Sequence, residues 1–227
     1  SGMLSGALTA GLFSVVADVF QLGVVPTPAV AYLVGKYKAD AGVMISASHN
    51  SYEFNGIKIF SGDGYKLPDD LEEQIESILL DNSAAPTLGL GNDVGMVVDK
   101  QATAVKDYID HLKSTIPNAL TGVKLAVDCA NGASAMTARR LFDELGADCT
   151  VLFDAPDGRN INDGCGSTHM EALSKYVREN GLDIGIAFDG DADRCLAVDG
   201  AGNTVDGDFI MAILALDMMK RGKLAKN

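Results

Sequence analysis

From Val123 onward the hydrophobic pattern switches repeatedly between two periods, and this alternation constrains the fold more than any other feature of the sequence. Val123–Cys129 reads as a strand, Ser134–Leu145 repeats apolar residues at helical spacing, and Cys149–Phe153 is again strand-like. A loop, a helix and the apolar run Ile184–Phe188 follow. Strands that alternate with helices imply a largely parallel or mixed sheet, because each crossover lays a helix against a sheet face. The helix before Ile184 is expected to begin at Thr168, where Thr168-His169-Met170-Glu171 has the spacing of a capping box. A last helix is expected over about Asp208 to Arg221.

The first half carries the same kind of pattern. Leu4, Leu8, Leu12, Val15, Val16 and Val19 predict a helix over residues 3–20, and Gln21–Val25 a short strand. Pro26-Thr27-Pro28 opens a second helix reaching about Lys38. Gly42 to Ile45 and Gly56 to Phe60 read as strands, the second closed by the turn Ser61-Gly62-Asp63-Gly64. Pro68 and the carboxylates after it start a helix with the apolar stripe Leu71, Ile75, Ile78 and Leu79. Residues 82–95, rich in Gly, Asn and Pro, predict an irregular connection, and a helix is expected from about Asp99 to Thr115. The pattern restarts after residues 116–122. The expected fold is therefore α/β with two domains, 1–117 and 118–227, each a mixed or largely parallel sheet covered by helices on both faces.

At 227 residues the chain is long enough for two such cores. Its 31 acidic against 18 basic residues give a net charge of −13, which argues against a nucleic-acid surface. Cys129, Cys149, Cys165 and Cys195 are scattered and form no C-x-x-C pair, the pattern of reduced core thiols. No apolar run approaches the roughly 20 residues that span a bilayer, so no membrane is expected and the cytoplasm is the default location.

Reactive chemistry sits where two strands end. After Gly42-Val43-Met44-Ile45 come Ser46-Ala47-Ser48-His49-Asn50, and after Ile184–Phe188 come Asp189-Gly190-Asp191-Ala192-Asp193-Arg194. Strand C-termini are where α/β sheets usually place ligands. Asp189, Asp191 and Asp193 alternate, so an extended backbone would point all three to one side, a hard-oxygen set suited to Mg²⁺. An EF-hand is excluded, since Arg194 stands at the loop's sixth position and Gly200 at its twelfth. A solvated acidic turn is the bland alternative, opposed by the mutual repulsion of three carboxylates. Ser48 heads the nucleophile candidates, although a serine beside a histidine is often only a loop hydrogen-bonding group. Lys58, in Asn55-Gly56-Ile57-Lys58, reads either as a solvent-facing strand lysine or as an acid/base or phosphate partner. Gly89-Leu90-Gly91 lacks the rest of a dinucleotide fingerprint and reads as loop. His111 and His169 read as structural, and Met211, Met218 and Met219 as core or as a buried surface.

Taken together and in this order, Ser46–Asn50, Asn55–Lys58 and Asp189–Arg194 resemble the α-D-phosphohexomutase family. Val25-Pro26-Thr27-Pro28-Ala29 and Val205-Asp206-Gly207-Asp208 extend the similarity over the chain. Ser46, where many hexose mutases carry Thr, and the segment Asn160–Thr168 resemble the branch acting on glucosamine phosphates. The resemblance implies that Ser48 carries a phosphoryl group and that Mg²⁺ is held by Asp189, Asp191, Asp193 and an oxygen of phosphorylated Ser48. It implies His49 and Lys58 as acid/base groups, Arg194 and Asn50 as phosphate contacts, and a hexosamine phosphate as substrate. A homodimer stays open. Ser51 stands where the family usually has proline. Ser1-Gly2 is similar to the tail of a Thr-Arg-x-Ser-Gly loop whose arginine would precede this chain. Family members have four domains, so the resemblance implies an inactive two-domain piece whose C-terminal partner domains lie elsewhere. A phosphomannomutase or phosphoglucomutase, a non-catalytic binding module, and a phosphatase using Asp189 as nucleophile are the competing readings.

Overall fold

A computed structural model describes residues 2–81 and 86–225. Ser1 and residues 82–85, the start of the expected irregular connection, lie outside the described residues. The chain divides into two compact units. One holds the described residues up to Ala47 together with Phe54–Leu112; the other holds Ser48–Glu53 and the described residues from Lys113.

In chain order the first unit contains α1 (Gly2–Ser14), β1 (Val19–Gln21), α2 (Thr27–Tyr37), β2 (Ala41–Ser46), β3 (Gly56–Ser61), α3 (Asp69–Asp81), β4 (Val97–Asp99) and most of α4 (Gln101–Thr115). β1 pairs parallel with β4, and β2 pairs antiparallel with β3 in the register Ser46↔Gly56 and Met44↔Lys58. Its core packs Ala29, Val30, Leu33 and Val34 of α2 against Ala104 and Tyr108 of α4, with Met44 and Phe60 of the strand pair against this cluster. Tyr37 closes the polar edge of α2 by donating to Asp107 Oδ2 at 2.9 Å, and Lys36 joins the same carboxylate at 3.1 Å. His111 stacks on Tyr32 with ring centroids 3.8 Å apart.

Several expected boundaries move, each for a tertiary reason. The helix expected over 3–20 stops at Ser14, because residues distant in sequence take its last carbonyls. Gly95 N donates to Phe13 O at 3.0 Å and Gly89 N to Ser14 O at 2.8 Å. Val16 then turns back with φ 67°, a left-handed conformation rare for a β-branched residue. The strand expected over Gln21–Val25 lies instead at Val19–Gln21, where Val19 meets Val97. Its partner β4 occupies residues that read as the approach to a helix, so α4 begins at Gln101. The loop around Gly89 thus serves to end a helix. The stripe on α3 remains on the outside: Leu71, Ile78 and Leu79 are exposed.

The second unit follows the sequence pattern closely. Its elements are β5 (Lys124–Asp128), a 3-10 turn (Ala133–Met136), α5 (Ala138–Glu144), β6 (Asp148–Leu152), a 3-10 turn (Gly166–Thr168), α6 (Glu171–Asn180), β7 (Ile184–Phe188), β8 (Cys195–Asp199), β9 (Thr204–Val205) and α7 (Gly207–Lys220). The sheet order is β6-β5-β7-β8-β9; β6, β5 and β7 run parallel, and β8 and β9 are antiparallel additions. Successive side chains of β5 go to opposite faces, as a pleated strand requires. Leu125 and Val127 pack with Ala138 and Phe142 of α5, whereas Ala126 packs with Leu173 and Val177 of α6. The capping box expected at Thr168 does not form, since that residue ends a 3-10 turn and α6 starts at Glu171. Asp206 caps α7 by accepting from Phe209 N at 3.1 Å. Met211, Met218 and Met219 on α7 are exposed, and all four cysteines are free thiols. Among the described residues no helix is long and apolar enough to cross a membrane.

Candidate functional site

The second unit gathers its chemistry at the C-terminal ends of β5 and β7, neighbouring parallel strands that end at one sheet edge. β7 runs into a tight turn, Asp189–Arg194, before β8 returns antiparallel. The turn is closed by Ala192 N donating to Asp189 O at 3.0 Å and Arg194 N to Asp189 Oδ1 at 3.1 Å, with Ala192 in the left-handed region at φ 55°. The extended backbone expected for the three aspartates is therefore a hairpin turn. The expected convergence is present all the same: carboxylate oxygens of Asp189, Asp191 and Asp193 lie within 4.8 Å of one another. The turn brings them together because it folds residues 189–193 over a single centre.

Asp189 and Asp191 are buried and Asp193 is exposed. Burial pushes the Asp189 carboxyl above the ordinary carboxylate range, and the neighbouring Asp191 and Asp193 charges add to that rise against the pull of the Arg194 amide. Two buried carboxylates and a third beside them are costly without a counter-charge. Hard oxygens at this spacing suit Mg²⁺, which is bound by a few carboxylates together with water or phosphate oxygens. The residues present thus fit that ion.

Residues Ser48–Glu53 cluster with this unit, and Ser48 Oγ donates to Asp189 Oδ2 at 3.3 Å. Ser48 is half-buried with φ 52°, a left-handed backbone that a non-glycine residue adopts only when its surroundings impose it. Close backbone approach is part of that surrounding. A Cβ on Gly190 would lie 2.6 Å from Ser48 O, and one on Gly132 would lie 2.2 Å from Gly190 O. Only glycine fits at these two positions. Ala133 N reinforces the stack by donating to Gly190 O at 2.8 Å.

The remaining sequence candidates divide. His49 and Asn50 ride on the Ser48 loop with exposed side chains. Arg194 leaves the aspartate turn exposed, its Nε 4.0 Å from Asp193 Oδ1. Lys58 belongs to the first unit, on β3 opposite Met44. It is half-buried while its neighbour Ile57 is exposed, the reverse of a solvent-facing strand lysine. His169 is exposed at the end of a 3-10 turn and joins nothing here.

Sequence reasoning missed two buried residues that build the site. Asp128, at the end of β5, accepts from Ala130 N at 2.8 Å and Gly166 N at 2.9 Å. Burial raises its carboxyl above the ordinary range against the pull of those amides. Asn162 donates its side-chain amide to Ser48 O and to Asn50 O, both at 2.8 Å. A polar residue closing an apolar strand hints at the first; a left-handed Asn in Asn160-Ile161-Asn162-Asp163-Gly164 hints at the second.

Comparison with known proteins gives the family. Residues 1–85 match the model of phosphoglucomutase/phosphomannomutase alpha/beta/alpha domain I, and residues 106–202 that of domain II. The chain is 58% identical over 225 residues to a phosphoglucosamine mutase of Acetivibrio thermocellus, covering 99% of this chain and 50% of that protein. It thus spans about half the length of the relatives it matches. Among solved structures, a phosphoglucomutase/phosphomannomutase family protein from Burkholderia thailandensis superposes with a TM-score of 0.78 at 26% identity, over 97% of this chain and 48% of that one. An Aspergillus fumigatus N-acetylphosphoglucosamine mutase, solved with GlcNAc-6P and magnesium, shares the fold at 18% identity and a TM-score of 0.57, over 98% of this chain and 60% of that one. The chain belongs to the phosphoglucomutase/phosphomannomutase, or α-D-phosphohexomutase, family and carries its domains I and II.

Proposed function

We propose that this chain supplies the phosphate-carrying and metal-holding half of a mutase that interconverts glucosamine 6-phosphate and glucosamine 1-phosphate. Domain I would be residues 1–117 and domain II residues 118–227. The single observation that carries the reading is Ser48 Oγ at 3.3 Å from a carboxylate of the three-aspartate cluster. The 58% identity to a phosphoglucosamine mutase favours a hexosamine phosphate over mannose or glucose phosphates.

In this reading phosphorylated Ser48 gives its phosphoryl group to a free hydroxyl of the sugar phosphate. The sugar oxygen forms a bond to phosphorus, the bond from phosphorus to Ser48 Oγ breaks, and the hydroxyl proton passes to His49. The bisphosphorylated sugar then turns over and returns its other phosphate to Ser48 Oγ. Phosphoryl transfer depends mainly on alignment and on neutralising charge, and the left-handed Ser48 backbone would hold Oγ for that alignment. Asp189, Asp191, Asp193 and an oxygen of phosphorylated Ser48 would hold Mg²⁺, which when bound neutralises charge on the phosphoryl oxygens. Arg194 and Asn50, both exposed beside that centre, would contact phosphate. The A. fumigatus enzyme was solved with magnesium and a GlcNAc phosphate, which supports the same ion and substrate class here.

Since the relatives are about twice as long, the two domains alone are expected to bind Mg²⁺ and not to turn over substrate. The test is phosphopeptide mapping after exposure to glucosamine 1,6-bisphosphate and Mg²⁺. It would be run on this chain fused to the C-terminal half of the A. thermocellus relative, and on the unfused chain as control. The fusion should take phosphate on Ser48, and Ser48→Ala should abolish uptake and mutase activity together. Phosphate on Asp189, or none on the fusion, would overturn the reading.

A further inference from the structure

We infer that Asn162 is a positioning residue that holds Ser48 in its left-handed backbone, an inference that rests on reading Ser48 as the phosphate carrier. The loop between β2 and β3 has short turns at Ser48-His49 and Tyr52-Glu53 but no helix or strand to hold Ser48. Asn162 supplies what is missing. Its single amide nitrogen donates to the carbonyls of Ser48 and Asn50, two residues apart, at 2.8 Å each. One rigid group gripping both carbonyls fixes the Ser48–His49 and Asn50–Ser51 peptide planes and limits rotation at Ser48.

The clamp is anchored at its other end. Asn162 N donates to Ala130 O at 2.9 Å, next to the end of β5. Asp128 holds the same segment through Gly166 N, and Asn131 Nδ2 donates to Asn160 O at 3.3 Å. Asn162 is itself buried and left-handed at φ 59°, a conformation asparagine tolerates better than most residues. Its Oδ1 is buried without a hydrogen-bond partner among the described residues. Such an orphan acceptor is unfavourable and calls for a compensating reason. Turning the amide over would set an oxygen against the two loop carbonyls, so both N–H groups face the loop and Oδ1 is left over. The side chain's bonds go to backbone carbonyls, with none to Ser48 Oγ or the three aspartates. Its effect on the reacting hydroxyl is therefore indirect.

Two substitutions separate clamp from fold. Asn162→Gly removes the amide and suits the left-handed backbone. Asn162→Asp keeps size and backbone preference and replaces the donor by an acceptor. Hydrogen exchange of this chain should show the peptide over Ser46–Glu53 exchanging on the order of tenfold faster in both variants, with peptides from β5 and β7 within about twofold of the unmodified chain. In the fused protein, the initial rate of phosphate uptake at Ser48 should fall about tenfold or more while Mn²⁺ affinity before phosphorylation stays within about twofold, because the amide bonds to none of the three aspartates. Loss of uptake at constant metal affinity is a split that general damage to the unit would not produce. Unchanged loop exchange in a folded variant would overturn the inference, as would exchange rising across the whole second unit together with a fall in Mn²⁺ affinity. Should the Gly variant fail to fold, the Asp variant decides. If Ser48 of the unmodified fusion takes no phosphate, the functional reading fails, and loop exchange still decides the role of Asn162.

Discussion

Asp191 shows how one carboxylate can both destabilise the free chain and make it responsive to an ion. It is buried beside Asp189, whose carboxyl it helps push above the ordinary range, so without a cation the pair repels within a low-dielectric pocket. Asp191→Asn keeps the shape and removes one charge. The metal-free variant should melt at a higher temperature than the unmodified chain, and it should lose most of the stabilisation by Mg²⁺. That stabilisation would reach about 2.7 kcal/mol at a hundredfold excess over Kd. Differential scanning calorimetry with and without Mg²⁺ checks both; a metal shift that survives the substitution would remove Asp191 from the ligand set. The three aspartates were legible in the sequence because their spacing alone brings acidic groups into one small region. Asn162 was not: its partners lie 114 and 112 positions away, at Ser48 and Asn50, and no local pattern encodes a contact of that range.

At the scale of elements, a charge cluster within the second unit holds Lys113 to α5. Glu144 of α5 accepts from Lys113, in the last turn of α4, at 2.6 Å and from Arg140 at 2.7 Å. Lys113 and then Arg140 hold its carboxyl down at about 2, from an ordinary 4.5. A depressed carboxylate contributes stability that is fully present above the unfolded value and disappears as pH falls through the folded one. The contribution of this surface cluster should therefore fade between about pH 4.5 and 2, and Glu144→Gln should flatten the melting-temperature profile across that window. The effect is expected to be small, since water screens an exposed network. Sequence periodicity located most elements to within a few residues. It failed at α1 and β4, where Phe13 and Ser14 carbonyls and the pairing of Val19 with Val97 are settled by residues about 80 positions away. It failed again at Thr168, whose capping-box spacing lost to a 3-10 turn held by Asp128 through Gly166.

For the whole molecule, all three aspartates sit in residues 113–227, while Ser48 enters from the segment before residue 54. The second unit has apolar cores on both faces of its own sheet. Expressed alone as residues 113–227, it should fold and bind Mn²⁺ within about tenfold of the whole chain, because the carboxylates dominate a hard-cation site. It should take no phosphate, since Ser48 is absent. Loss of Mn²⁺ binding in a folded 113–227 piece, read by electron paramagnetic resonance, would show that the Ser48 loop is needed to form the cation site. By itself the sequence determined the α/β class, the alternation of elements in the second half and the residue types of the site, because these follow from local periodicity and from charges a few residues apart. Only the tertiary structure decided that the aspartates converge through a turn, that Lys58 is half-buried, that Asn162 donates to the Ser48 and Asn50 carbonyls, and that Asp128 accepts from Ala130 and Gly166. Each of those depends on which distant backbone groups end up within about 3 Å, and hydrogen bonds of that reach are set by packing rather than by neighbours in the chain.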